Sequence, residues 1–314
     1  MKSLRFHFLA IAFVAVTVAV LLSVSGLGQS PDANKRDSTK AIRPALKPID
    51  AEPNGPSSSV TIASAALASA AAQNELLRTN LNWLFGGKQQ RGWYLYTPLI
   101  SRMLNTEEKP ASEGFASALS KWQQRVALPV NGLIDEQSFY AMVAEWQGKR
   151  LKDRTVATAD QLLTAPVTDF YDPTREEELR QVEKNTYAAY QRMIKAAAAD
   201  RSLGLTVDKA GHLDPSEKYL KIVSAFRSRE YQDRLRQQSP NAGRAGLAIN
   251  SPHFTGRALD LYVGGDPVDT TDSNRAIQVQ TPVYLWLVRH AESFGFRPYF
   301  YEPWHWEYVG SEVK

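Results

Sequence analysis

The sequence predicts an α+β protein, with a small central antiparallel sheet and flanking helices, preceded by a small all-helical domain. Three observations carry this. Apolar residues recur at helical spacing through the first half, as Phe115, Leu119 and Trp122 and then Phe139, Met142, Val143 and Trp146. Further on, Leu259, Leu261 and Val263 alternate with Ala258, Asp260 and Tyr262, the period of a strand with one apolar face. Aromatic-rich runs at 296–301 and 304–309 read as two more strands, after a helix at 281–294 that presents Val283, Leu287, Ala291 and Phe294 on one face.

Residues 1–25 read as a secretory signal. Lys2 and Arg5 precede an apolar run at 8–22, and Ser23, Ser25 and Gly26 supply a small-residue exit. Left uncleaved, the same segment would act as a membrane anchor. Residues 26–73 contain Pro44, Pro48, Pro53 and Pro56 and an Ala/Ser run, the composition of a disordered linker that enters a helix around 61–77.

A first folded unit is expected over 74–148. Leu76, Leu77, Leu81, Trp83 and Leu84 form its opening apolar stripe, which Gly86 and Gly87 end, and Asn131-Gly132 is a turn between two apolar runs. Residues 149–168 read as a polar connector, and 169–314 as a second folded unit. Within it, 175–199 read as one long helix, with Glu176, Glu177 and Glu178 at the start that the helix dipole favours. Residues 214–217 look like another helix opening, 219–226 like a buried strand, and a helix follows from Arg227.

Composition excludes several classes. The 314 residues carry 37 Lys and Arg against 33 Asp and Glu, a net charge of +4 with no basic block, so no nucleic-acid partner is indicated. There is no cysteine, which removes disulfides and thiol nucleophiles. An exported protein of this kind is held by its core, and the length is sufficient for two modest ones.

Two short stretches carry the chemistry. Residues 251–260 contain His253 and Asp260, and residues 302–305 contain Glu302 and His305, so two of only five histidines fall here. Two histidines, an aspartate and a further carboxylate are the minimum for a catalytic zinc site with three protein ligands, an open position for water and a general base. Asp260 within an apolar strand is costly unless it meets a cation or donors. Pro303 breaks the strand alternation, which lets Glu302 and His305 converge. His7 lies in the signal, His212 reads as solvated, and His290 reads as a packed core histidine. Rival chemistries lack their residues: there is no His-Glu-x-x-His, no Gly-x-Ser-x-Gly, and the one Ser-x-x-Lys is at 311–314.

The pattern Ser251-x-His253 with Asp260, followed by Glu302-Pro303-Trp304-His305 and Tyr308-Val309-Gly310, resembles the zinc D-alanyl-D-alanine carboxypeptidases of the vancomycin-resistance (VanY-like) type, in the lysostaphin, D-Ala-D-Ala metallopeptidase and hedgehog superfamily. Phe226-Arg227-Ser228 with Gln232 is similar to an upstream element of that family. Ile249, Arg257 and Glu307 depart from its usual residues, Glu307 standing where a basic residue is common. Trp122-Gln123, residues 128–134 and Ser138-Phe139 resemble the small three-helix peptidoglycan-binding domain, with Asn131 where Asp is usual.

The first resemblance implies one Zn2+ per chain held by His253, Asp260 and His305, with Glu302 as catalytic base. It implies that Arg227 holds the oxyanion or the substrate carboxylate, and that Ser251 and Gln232 bind substrate. The implied activity is removal of the terminal D-alanine from peptidoglycan stem peptides, by an exported monomer in the periplasm or cell envelope that meets the membrane only through an uncleaved N-terminal segment. An endopeptidase using the same site is the sister reading, and a non-catalytic wall-binding protein with a vestigial zinc site is the rival. The second resemblance implies that residues 74–148 bind the wall and are separable from catalysis on a soluble peptide.

Overall fold

A computed structural model describes residues 57–238 and 250–310. The expected signal at 1–25 and most of the expected linker lie outside the described residues. Among those described, no helix is long and apolar enough to cross a membrane.

Helix α1, Ser57–Asn80, takes in the end of the segment read as linker. It gives way to a hairpin of β1, Asn82–Phe85, and β2, Lys88–Arg91. This corrects the all-helical expectation for the first unit, because Trp83 and Leu84 belong to a strand. Gly86 and Gly87 both have positive φ, 61° and 72°, which a two-residue hairpin turn matched to strand twist requires. Strand alternation then buries Trp83 and Phe85 together.

Three helices complete this half: α2, Thr97–Leu104; α3, Glu113–Arg125; and α4, Glu136–Gly148. The side chains of Ser112 and Asp135 cap α3 and α4 by accepting from the N–H groups of Phe115 and Ser138. Gln123 is fully buried and clamps the turn before α4. Its Nε2 donates to Asn131 Oδ1, Leu133 O and Ser138 Oγ, and its Oε1 accepts from the N–H groups of Asn131 and Gly132. The residues that resemble a wall-binding motif thus make the turn itself.

The expected connector is built into the second half. Strand β3, Leu162–Thr164, pairs antiparallel with β4, Gln181–Glu183, and α5 begins only at Lys184 and runs to Ala199. The single helix read over 175–199 is corrected here. Glu183 ends the strand and caps α5, its carboxylate accepting from the N–H groups of Asn185 and Thr186. Residues 214–217 form turns rather than a helix opening, since the Asp214 carboxylate turns back onto Ser216.

The main sheet is assembled from β5, Ile222–Ser224, then, after α6 (Arg229–Gln238), β6, Ala258–Leu261. Helices α7, Asp272–Gln278, and α8, Pro282–His290, intervene before β7, Phe296–Pro298, and β8, His305–Tyr308. Its order is β5-β6-β8-β7 and every pairing is antiparallel, as the α+β expectation requires.

One contiguous core runs through both halves. Phe300, in the turn after β7, packs against Trp83, Phe85, Tyr96 and Trp146 at ring-centroid distances of 6.5, 4.9, 5.4 and 5.8 Å. Arg275 on α7 lies over the Tyr301 ring and donates to Tyr96 Oη on the first half. The two units expected from the sequence share this packing. The first half covers the turn that delivers Glu302.

Candidate metal centre

Register places the site. On the main sheet Asp260 of β6 stands opposite His305 of β8 on one side and Ser224 of β5 on the other. Asp260 Oδ1 lies 2.9 Å from His305 Nδ1. His253 arrives from a short 3-10 turn, Pro252–Thr255, whose N-cap Ser251 accepts from the His253 N–H through its Oγ. Gly256 closes that turn at φ +66°, and a Cβ there would stand 2.9 Å from the Glu183 backbone nitrogen. Only glycine fits that approach.

The three expected ligands come together. Ligand atoms of His253, Asp260 and His305 lie within 4.8 Å of one another, all buried. His253 Nδ1 sits 2.7 Å from the Ala225 carbonyl, a contact that requires Nδ1 to carry the proton and leaves Nε2 turned to Asp260 Oδ2 at 3.4 Å. Burial and the neighbouring Arg227 charge lower the His253 pKa to about 4, so its imidazole is neutral. For His305, burial opposes protonation, but hydrogen bonds to Asp260 and Glu307 outweigh it and raise the pKa to about 9. Burial works against the Asp260 carboxylate as well, yet the two histidines hold it well below the usual carboxylate range.

Glu302 completes the set. It is 1 % exposed, and neither carboxylate oxygen has a hydrogen-bond partner among the described residues. Burial pushes its pKa up to about 8, with His305 pulling against the shift and Asp260 adding to it. The Glu302 carbonyl accepts from the His305 N–H at 3.0 Å, so a single tight turn carries both residues.

The remaining expected residues are also close by. Arg227 is buried and donates from Nη2 to Asp260 Oδ2 at 3.0 Å and from Nε to Ser224 Oγ at 2.9 Å. Gln232 on α6 is buried with no hydrogen-bond partner for Oε1 among the described residues. His212 is exposed, as its loop predicts. His290 is exposed too, which corrects the core expectation: it ends α8 and lies against the Trp286 ring at 4.9 Å instead of entering the core.

Sequence reasoning missed the part played by Glu307. It is fully buried beneath His305, its Oε1 accepting from His305 Nε2 at 3.2 Å and its Oε2 from the Leu151 N–H at 2.9 Å. Arg150 donates to the same Oε1 through Nε, at 3.1 Å, and through Nη2. The signal was present in the strand period, which puts residues 305 and 307 on one face. Arg150 gave none, because its partner is 157 positions away.

The donor set suits zinc: two imidazole nitrogens and a carboxylate, one histidine fixed in its tautomer by a carbonyl, and an orphaned buried carboxylate alongside. No curated protein matches the chain. Residues 179–311 match the family model described as D-alanyl-D-alanine carboxypeptidase (VanY), a span that holds every residue of this cluster. Residues 179–311 are thus similar to the D-alanyl-D-alanine carboxypeptidases of the VanY family.

Proposed function

We propose that this domain is a zinc-dependent D,D-carboxypeptidase that removes the terminal D-alanine from peptidoglycan stem peptides outside the cytoplasmic membrane. The observation that carries the reading is Glu302, a buried carboxylate without a donor beside the His253, Asp260 and His305 cluster. His253, Asp260 and His305 would hold the metal, which when bound supplies Lewis-acid polarisation of the scissile carbonyl and an acidified water. Glu302 then accepts the proton of the attacking water and passes it to the leaving amine of D-alanine. The charge of a bound metal would favour the ionised form of Glu302 that this role needs.

Arg227 sets a fixed positive charge against Asp260 and stabilises the oxyanion or the substrate carboxylate. Ser251 holds the His253 turn through its oxygen and offers its O–H to the peptide. Gln232 presents Oε1 as an acceptor for a substrate amide. The chemistry uses one chain and one metal.

The test is incubation of purified protein with a defined soluble pentapeptide, with zinc or with chelator, and product identification by mass. Loss of one terminal D-alanine only with zinc supports the assignment. Cleavage inside the stem assigns an endopeptidase instead, and no zinc-dependent product removes the enzymatic reading.

A further inference from the structure

Glu307 is a buried carboxylate that the proposed chemistry leaves unused, on a strand face it shares with a metal-ligand candidate. Its two oxygens meet four donors. His305 Nε2 and the Arg150 Nε and Nη2 converge on Oε1, and the Leu151 N–H reaches Oε2. Arg150 is itself held down by the Tyr299 ring, its guanidinium carbon 3.9 Å from the ring centroid. Arg150 and Leu151 follow directly on α4, whose Trp146 stacks on Phe300 at 5.8 Å and 21°.

We propose that Glu307, anchored by Arg150 and the Leu151 N–H, is a positioning residue that fixes His305 with Nε2–H directed away from the cluster and Nδ1 directed into it. The segment that directly follows α4 thereby orients a metal-ligand candidate on β8. A histidine ligand is defined by what its other nitrogen bonds, and a carboxylate in that place fixes both the tautomer and the ring plane. Here the carboxylate is itself immobilised by a forked cation and a backbone donor, so the ring has one orientation available. The inference rests on the reading of His253, Asp260 and His305 as a metal site.

The experiment measures zinc affinity by chelator competition, together with the melting temperature of chelator-stripped protein. Glu307→Gln keeps the shape but gives up the anionic acceptor. The double variant Arg150→Met with Glu307→Leu removes both buried charges together, which spares the fold an isolated ion. Both are expected to bind zinc about 10- to 100-fold more weakly. The double variant is expected to keep a stripped melting temperature close to that of the unaltered chain, which a purely structural role for the pair would not pair with lost affinity. Unchanged zinc affinity in Glu307→Gln overturns the inference, and that variant decides alone if the double variant does not fold. Failure of the unaltered protein to bind zinc more tightly than His253→Ala overturns the metal site and this inference with it.

Discussion

Glu302 brings two carboxylate oxygens into the interior and finds no donor for either among the described residues. Such isolation is costly, and it fits the proton exchange proposed for this group. Replacing it by Gln keeps the shape and the neighbouring ligands. Glu302→Gln is expected to retain zinc and the fold while kcat falls about 10²- to 10⁴-fold, read by metal analysis and peptide turnover. His253→Ala and His305→Ala are expected to lose zinc and activity together, and near-stoichiometric zinc in a variant lacking all three ligands would sink the assignment. A further expectation concerns pH in the chelator-stripped protein. The folded form holds a proton on Glu302 from its ordinary 4.5 up to about 8, and on His305 from 6.5 up to about 9, where the unfolded chain has already lost both. Fewer protons on the unfolded chain mean that stability falls as pH rises. The stripped melting temperature should therefore drop most steeply between pH 6.5 and 8. Glu302→Gln should flatten part of that slope, and an unchanged slope would mean that Glu302 is already ionised there.

At the scale of elements, the turn Pro252–Thr255 depends on Gly256, whose φ of +66° and closeness to Glu183 leave no room for a Cβ. Gly256→Ala is expected to destabilise the fold by about 1–3 kcal/mol, measured by denaturant unfolding. The ligand stretches were legible because strand alternation and the proline after Glu302 are local signals. So were α3, α4 and α8, whose caps and apolar stripes sit within one segment. The hairpin at 82–91 and the β3–β4 pair were not. Trp83 fits a helical stripe as well as a strand, and Val182 owes its place to pairing with Leu163, nineteen positions earlier. Long-range pairing leaves no mark on local periodicity, and it also hid Arg150, whose partner Glu307 closes the sheet at the far end of the chain.

At the scale of the whole molecule, the two halves meet through Phe300 and through Arg275 bonded to Tyr96. Burying one large aromatic side chain in a shared core contributes several kcal/mol, so Phe300→Ala is expected to cost about 3–5 kcal/mol by denaturant unfolding. Deleting residues 57–148 should abolish hydrolysis of a small soluble pentapeptide as fully as hydrolysis of intact wall. Undiminished turnover on the soluble peptide would show that the second half stands alone. The clamp made by Gln123 fits the same picture, because the residues that resemble a wall-binding motif already have work inside the turn.

Phe300 and Glu302 are two positions apart, and one turn sends the first into the aromatic pocket and the second toward His253, Asp260 and His305. A catalytic half lifted from this chain and fused to another carrier would bring its own oily knob with no socket to receive it. Exchange of parts with other proteins is thus constrained to cuts that leave the Phe300 socket whole. The protein travels as one piece, and a hybrid that swaps its first half must rebuild the Trp83, Phe85, Tyr96 and Trp146 socket before its chemistry can return.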